Sequence, residues 1–165
     1  MANLHNRVDI LLHFVWSTHK RMPLITNDIE RSIYRYIVAV CKKEGCHILA
    51  IGGTENHIHL LISFPTDKKI WELVRNFKGG SSRLVTNILK PGEFFQWQGN
   101  YGVFSVSPSH KNRVINYIKN QKQHHANGTL WKNAEESSVI CDEVPEYYTN
   151  EEKKFLKDYD LENLN

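Results

Sequence analysis

Two histidines separated by one residue, His57 and His59, have the spacing that most directly suggests chemistry in this sequence. They lie in the apolar run HIHLLISF, which predicts a β-strand over residues 57–64. Because side chains alternate between the two faces of a strand, both imidazoles point the same way while Ile58 points into the core. Two imidazoles on one face can hold a metal ion in an open site. Two ordinary histidines on a half-exposed strand would give the same pattern, so the spacing alone leaves both interpretations open.

A tyrosine and a glutamine four residues apart, Tyr117 and Gln121, lie on one face of a helix predicted from about Ser109 to His125. The tyrosine offers a nucleophile, and the carboxamide oxygen beside it offers a metal ligand. A tyrosine packed on a sheet beside a solvent-facing glutamine is the alternative. His124 and His125 would be an extra ligand pair, although a cation at a helix end more often complements the helix dipole.

Local patterns predict the elements that must position these residues. Asn27 with Glu30 three residues later predicts a capping box that opens a first helix, and Gly45 is its expected C′ residue. A second helix lies between Thr66 and Pro91 and contains two adjacent glycines, which predict a kink or a close contact. Strands are predicted over residues 8–16, 46–52, 57–64 and within 93–107.

The order of these elements predicts the fold class. Strand, helix, strand, strand, helix, strand, helix is typical of an α+β fold. We therefore expect a ferredoxin-like split βαβ sheet with helices on one face, plus an additional C-terminal tyrosine-bearing helix.

Composition excludes several classes of protein. The chain has 165 residues, close to the length of one domain. No window approaches 18 consecutive apolar residues, and the segment MANLHNRVDI lacks the pattern of a secretory signal, so we expect neither a membrane span nor export. Three cysteines without a CxxC pair argue against a disulfide framework and favour a reducing, cytoplasmic location.

Charge is divided unevenly along the chain. Residues 1–128 hold 17 of the 21 Lys and Arg but 8 of the 18 acids, a net charge of +9. Residues 129–165 hold 4 bases and 10 acids, a net charge of −6. A basic body suggests a polyanionic partner, whereas a solvated surface with an acidic tail is the alternative.

Four stretches together resemble the single-tyrosine HUH transposases, the small enzymes of simple insertion sequences, and their relatives associated with repetitive extragenic palindromes. The stretches are LLHFVWSTHKR, ENHIHLLIS, FKGGSSRLV and WQGNYGVFSVSPSHKNRVINYIKNQKQHH, in the order and approximate spacing of the family. His57 and His59 match the HUH motif, and Tyr117 and Gln121 match the Tyr-x-x-x-Gln pattern. Asn56 stands beside the first histidine, where the resemblance leads us to expect aspartate. By the same resemblance, residues 1–128 are the transposase domain and residues 129–165 an acidic, partly irregular extension.

The resemblance implies cleavage and rejoining of single-stranded DNA at hairpin-containing ends. Tyr117 would attack the scissile phosphate and form a 5′-phosphotyrosine, which stores the bond energy and makes ATP unnecessary. His57, His59 and Gln121 would hold a divalent metal, Mg²⁺ or Mn²⁺, that assists the tyrosine. Two subunits would form a homodimer in which the tyrosine helix of one chain completes the site of the other.

Basic and aromatic residues supply candidate DNA contacts. The basic candidates for phosphate contacts are Lys20 and Arg21 after the first strand, with Arg75, Lys78 and Arg83 on the second helix. Trp97 and Tyr101 are candidates for stacking on unpaired bases.

Two other interpretations compete with a transposase. A relaxase or replication-initiator nickase shares the HUH chemistry but is usually larger, with more tyrosines or domains. A non-catalytic nucleic-acid-binding module on a ferredoxin-like sheet would carry RNP-like aromatic motifs on its strands, and the sequence has none.

Overall fold

The computed structural model describes residues 7–131 of the chain. Most of the acidic extension lies outside this range. The regular elements are β1 (Leu11–Ser17), α1 (Asn27–Lys43), β2 (His47–Thr54), β3 (His57–Ser63), α2 (Ile70–Leu84), β4 (Gly102–Val106), α3 (Lys111–Lys119) and α4 (Gln121–Asn127). A π-helical turn, Val85–Leu89, extends α2, and 3₁₀ turns occupy His19–Arg21 and Pro108–His110.

The four strands form one antiparallel sheet in the order β2-β3-β1-β4. The central strands β1 and β3 pair in a register that places Val15 opposite His59 and Phe14 opposite Leu60. Since β3 lies between β1 and β2, the helix α1 makes a split βαβ connection, and α2 connects β3 to β4 in the same way. The expected α+β, ferredoxin-like architecture is confirmed.

Helices cover both faces of this sheet. On one face, Phe14 and Ile58 belong to the larger core, which α1 and α2 complete, so the predicted inward direction of Ile58 is confirmed. On the other face, Leu61 packs with Val114 and Ile118 of α3. The tyrosine-bearing helix therefore lies on the face to which the two HUH histidines point.

Two glycines allow side chains or backbone to approach closely. A Cβ atom at Gly52 would collide with the carbonyl oxygen of Ile118, so α3 rests directly on the backbone of β2. A Cβ atom at Gly80 would collide with the hydroxyl of Tyr36 from α1. The close contact predicted for the glycine pair of α2 is thereby confirmed at Gly80, whereas Gly79 faces open space.

The single helix predicted from Ser109 to His125 is wrong. A 3₁₀ turn precedes α3, and Asn120, with φ −105° and ψ 22°, separates α3 from α4. The Asn120 side chain donates a 2.9 Å hydrogen bond to the carbonyl of Asn116. Asparagine competes in this way with helical backbone hydrogen bonding, which gives a physical reason for the break.

The capping of α1 differs from the prediction. The N-cap of α1 is Thr26, and no side chain caps the helix, so the predicted capping box is wrong. The Thr26 hydroxyl instead donates to the carboxylate of Asp28. Gly45 has a φ of +73°, as expected for a C′ residue. β4 lies within the predicted range 93–107, and the segment before it pairs with the residue after β1 through an isolated bridge, Thr18 to Trp97.

Within residues 7–131, no helix is long and apolar enough to cross a membrane.

Candidate active site

The two HUH histidines lie side by side on β3. Both are fully buried, and their ring centroids are 5.0 Å apart at an interplanar angle of 79°. β3 is a central strand, so the backbone that carries them is held by hydrogen bonds on both sides. The surrounding sheet therefore fixes the positions of both imidazoles before any ligand binds.

The turn between β2 and β3 orients His57. Asn56 Oδ1 lies 2.7 Å and Thr54 Oγ1 lies 2.9 Å from His57 Nδ1. Because a carboxamide oxygen only accepts hydrogen bonds, the contact with Asn56 places the ring hydrogen on Nδ1 and the lone pair on Nε2. Asn56 thus orients the His57 ring in this chain, at the position where we expected an aspartate.

His57 Nε2 faces α4. It lies 3.1 Å from Gln121 Oε1 and 3.2 Å from His125 Nε2. A cation between His57 Nε2 and Gln121 Oε1 would be bound by a lone pair of each atom, whereas without a cation a half-turn of the Gln121 amide lets its N–H donate to His57 Nε2. The Gln121 amide nitrogen is also buried and has no hydrogen-bond partner among residues 7–131. The pair therefore fits a cation that accepts nitrogen and oxygen ligands.

His59 is paired with a histidine that sequence reasoning did not single out. His13 Nε2 lies 2.9 Å from His59 Nδ1, both rings are buried, and they stack with centroids 5.1 Å apart. The contact fixes the orientation of His59 and leaves Nε2 as the ring nitrogen that would bind a metal. In the sequence, His13 stands out only as a polar residue in the middle of an apolar strand.

The adjacent histidines of α4, His124 and His125, separate in space. His125 approaches His57, with ring centroids 4.7 Å apart. His124 instead packs beside the Tyr117 ring and bonds the Thr129 hydroxyl at 2.9 Å. Among residues 7–131, no group of three or more His, Cys, Asp and Glu side chains could hold a metal ion.

Tyr117 is buried on α3, next to the histidines. Its ring meets that of His59 edge to face, with centroids 5.8 Å apart. Trp131 stacks on the opposite side at 4.0 Å, and the backbone N–H of Trp131 donates a 3.2 Å hydrogen bond to the Tyr117 hydroxyl. The Arg113 guanidinium lies over the Trp131 ring. The structure thus brings His57, His59, Tyr117 and Gln121 into one buried cluster, across the break between α3 and α4.

The basic candidates occupy two regions. Lys20 and Arg21 lie in a 3₁₀ turn after β1 and both have left-handed backbones, with φ of 50° and 54°. Such backbones are strained for residues with side chains, and strain of this kind is frequent at binding sites. Arg75 and Arg83 are exposed on α2, and the Arg75 guanidinium lies over the ring of Trp71.

Lys78 and Trp97, two of the residues predicted to contact DNA, make contacts within the protein. Lys78 donates hydrogen bonds to the backbone carbonyls of Gln98 and Gly99, so its ammonium anchors the loop before β4. Trp97 belongs to the core and donates to Ser81 Oγ at 2.9 Å, so its proposed stacking on an unpaired base is wrong. Tyr101 is half-buried against the same core. The segment that contains Trp97 and Tyr101 is irregular and rich in glycine and aromatic residues. Its sequence therefore does not predict which aromatic ring is buried.

Comparison with known proteins identifies the family of this chain. Residues 6–121 match the family described as IS200-like transposases. The chain is 21% identical over 114 residues to the ISDra2 transposase TnpA of Deinococcus radiodurans, covering 66% of this chain and 81% of that protein. This chain therefore belongs to the IS200-like transposases, the single-tyrosine HUH family.

Two solved structures share the fold. One is a 1.90 Å crystal structure of a candidate transposase from Deinococcus radiodurans, with a TM-score of 0.53, 21% identity, and coverage of 73% of this chain and 98% of that chain. The other is a REP-associated tyrosine transposase bound to a REP hairpin, with a TM-score of 0.58, 13% identity, and coverage of 90% and 94%.

Proposed function

We propose that this transposase cleaves and rejoins single-stranded DNA at hairpin-containing ends through a covalent 5′-phosphotyrosine on Tyr117. The observation that carries the proposal is the convergence of Tyr117, His57, His59 and Gln121 in one buried cluster. A phosphotyrosine conserves the energy of the phosphodiester, so a second 3′-hydroxyl can reverse the step and join a new end.

In the cleavage step, the Tyr117 oxygen bonds to the scissile phosphorus as the bond between phosphorus and the 3′ oxygen breaks. The phenol loses its proton and the departing 3′ oxygen gains one, so atoms and charge balance. A phenol is a weak nucleophile at neutral pH. The N–H of Trp131 donates to the Tyr117 oxygen and would stabilise negative charge as it develops there. The stacked indole of Trp131 also excludes water from one face of the ring.

We propose that His57, His59 and Gln121 hold a divalent metal, Mg²⁺ or Mn²⁺. The 3.1 Å separation of His57 Nε2 and Gln121 Oε1 supports this donor set. When bound, such an ion supplies Lewis acidity to the phosphate and the departing oxygen. Asn56 and His13 would keep both imidazoles oriented for this role, since each bonds the other ring nitrogen of a ligand.

DNA would be held mainly through its phosphates. Lys20, Arg21, Arg75 and Arg83 remain our candidates for these contacts, and the excess of positive charge over residues 1–128 supports them. For Lys78 we propose an indirect role, because its contacts with the loop carbonyls hold that loop beside α2.

The expected homodimer with shared active sites makes a specific prediction about mixed variants. If sites are shared, subunit exchange between Tyr117→Phe and His57→Ala restores partial cleavage, because one of the two sites is then intact. Within a single chain, Tyr117 already packs beside its own His59, so a site built from one chain is the competing arrangement. Proven heterodimers that remain inactive would favour that arrangement and leave the role of Tyr117 unchanged.

The central experiment measures covalent adduct formation with single-stranded hairpin oligonucleotides. Tyr117→Phe should abolish the adduct while preserving folding and DNA binding, because it removes one oxygen and little packing. Tyr36→Phe, which removes a hydroxyl on the opposite side of the sheet, is the matched control and should retain the adduct. An adduct that survives in Tyr117→Phe would exclude this nucleophile.

The same assay tests the metal and the competing functions. EDTA, His57→Ala and His59→Ala should each suppress cleavage, and Gln121→Ala should reduce it less, because water replaces a carboxamide more easily than an imidazole. Cleavage that is insensitive to EDTA contradicts the metal site. Binding without cleavage would indicate a non-catalytic module.

A further inference from the structure

A cleft of about 380 Å³ opens directly beside the proposed catalytic cluster. Thr54 and His125, which both contact His57, form the wall shared with that cluster. The rest of the lining comes from the start of α1, the turn between β2 and β3, and α4. These lining residues are Ile25, Asn27, Glu30, Glu55, Lys122 and Ala126.

The polar wall of the cleft is held in a fixed arrangement. Lys122 on α4 bonds Glu30 Oε2 at 2.8 Å, and the Tyr34 hydroxyl donates to Glu30 Oε1 at 3.2 Å. Burial, reinforced by the neighbouring carboxylate, raises the pKa of Tyr34 well above its usual range, so the hydroxyl stays protonated and remains a donor. Each carboxylate oxygen of Glu30 keeps a further lone pair for a ligand.

The charge of the cleft favours a nucleobase over a phosphate group as its ligand. Two carboxylates, Glu30 and Glu55, and one ammonium, Lys122, give the lining a net negative charge, which repels phosphate. The volume lies near the lower end of the roughly 300–1,000 Å³ typical of small-molecule sites, which suits one nucleotide unit rather than a folded strand. Nucleic-acid enzymes commonly read such an extruded base through its Watson–Crick edge.

We propose that this cleft binds one unpaired nucleobase next to the scissile phosphate, with a preference for guanine. The guanine edge presents two donors, N1–H and the N2 amino group, and one acceptor, O6. Carboxylate acceptors beside an ammonium donor complement that edge, whereas cytosine, adenine and thymine each present fewer donors. The assignment to the cleavage site rests on the proposed function, but the base preference rests on the cleft itself.

The test uses the full-length protein labelled with ¹⁵N and titrated separately with dGMP, dAMP, dCMP and dTMP, with inorganic phosphate as the control for the phosphate group. We expect dGMP to shift the amide signals of Glu55, Lys122 and Ala126, and to bind at least about fivefold more tightly than the others. Glu30→Gln should remove that preference. Glu72→Gln, an α2 carboxylate outside the cleft, should keep it. Glu55→Gln serves as the second cleft variant if Glu30→Gln fails to fold.

Adduct formation measured on the same preparation separates the two proposals. A titration without preference, or one in which phosphate alone gives the same shifts, overturns the base site even if the adduct forms normally. Binding of dGMP with the predicted shifts, in a protein that forms no adduct, supports the base site and overturns the proposed function.

Discussion

Replacing Gly52 by alanine tests whether the close packing of α3 on β2 positions Tyr117, the proposed nucleophile. The added Cβ would lie much closer than 3.0 Å to the carbonyl oxygen of Ile118, its nearest neighbour. Cβ atoms in real proteins essentially never make contacts shorter than 3.0 Å. That oxygen belongs to backbone, so no side-chain rotation relieves the collision. α3 must therefore move away from β2, by a distance on the order of 1 Å, and it carries Tyr117 with it.

The expected magnitude follows from two effects. Overpacking of this kind costs about 1–3 kcal/mol in the free energy of unfolding. A displacement of about 1 Å at a reacting group can lower the rate about 100-fold, because the geometry of attack is lost. The rate of adduct formation should therefore fall by much more than the folded fraction, since a domain with a free energy of unfolding of about 5–15 kcal/mol stays largely folded after such a loss.

Gly79→Ala is the matched control. Its added Cβ meets nothing within 4 Å in the middle of α2, so we expect it to stabilise the protein by about 0.4–1 kcal/mol and to leave the rate unchanged. Thermal unfolding and single-turnover adduct formation would be measured for both variants. A Gly52→Ala protein with the wild-type Tm and rate would refute the role of this contact.

Three further predictions concern single side chains. His13→Phe keeps a ring but removes the nitrogen that bonds His59, so calorimetry should show a roughly 10–100-fold loss of Mn²⁺ affinity; unchanged affinity would contradict its orienting role. Burial raises the pKa of Cys41 to about 12, so iodoacetamide at about pH 8 should label this thiol only after unfolding, and rapid labelling of the folded protein would count against its burial. Hydrogen bonding from Lys90, and then Thr26, lowers the pKa of Asp28 to about 2 from 3.8. The Asp28 carboxylate therefore stabilises the fold above pH 3.8, and this contribution is lost as the pH falls through about 2. The difference in Tm between wild type and Asp28→Asn should shrink between pH 3.8 and about 2. A Tm difference that stays constant over this pH range would contradict the prediction.

The sequence by itself determined the features that depend on local periodicity. The alternation of a strand places His57 and His59 on one face, and the apolar patterns of α1, α2 and the central strands predict the split βαβ order. The spacing of Tyr117 and Gln121 is also local, and it places them in one cluster even though Asn120 interrupts the helix between them. Each of these features follows from neighbours within a few residues along the chain.

Only the tertiary structure decided which distant groups meet. His13 bonds His59 across 46 positions, and His125 reaches His57 across 68, while its neighbour His124 turns to Tyr117. Strand register and the angle at Asn120 set these contacts, and neither leaves a periodic signal in the sequence. The same limit applies to Trp97, whose burial depends on the irregular path of the segment before β4 rather than on its own residue type. Local patterns predicted the strand and helical segment that carry the proposed site residues, and long-range packing selected the residues that orient them, because register and helix placement are set by the core as a whole.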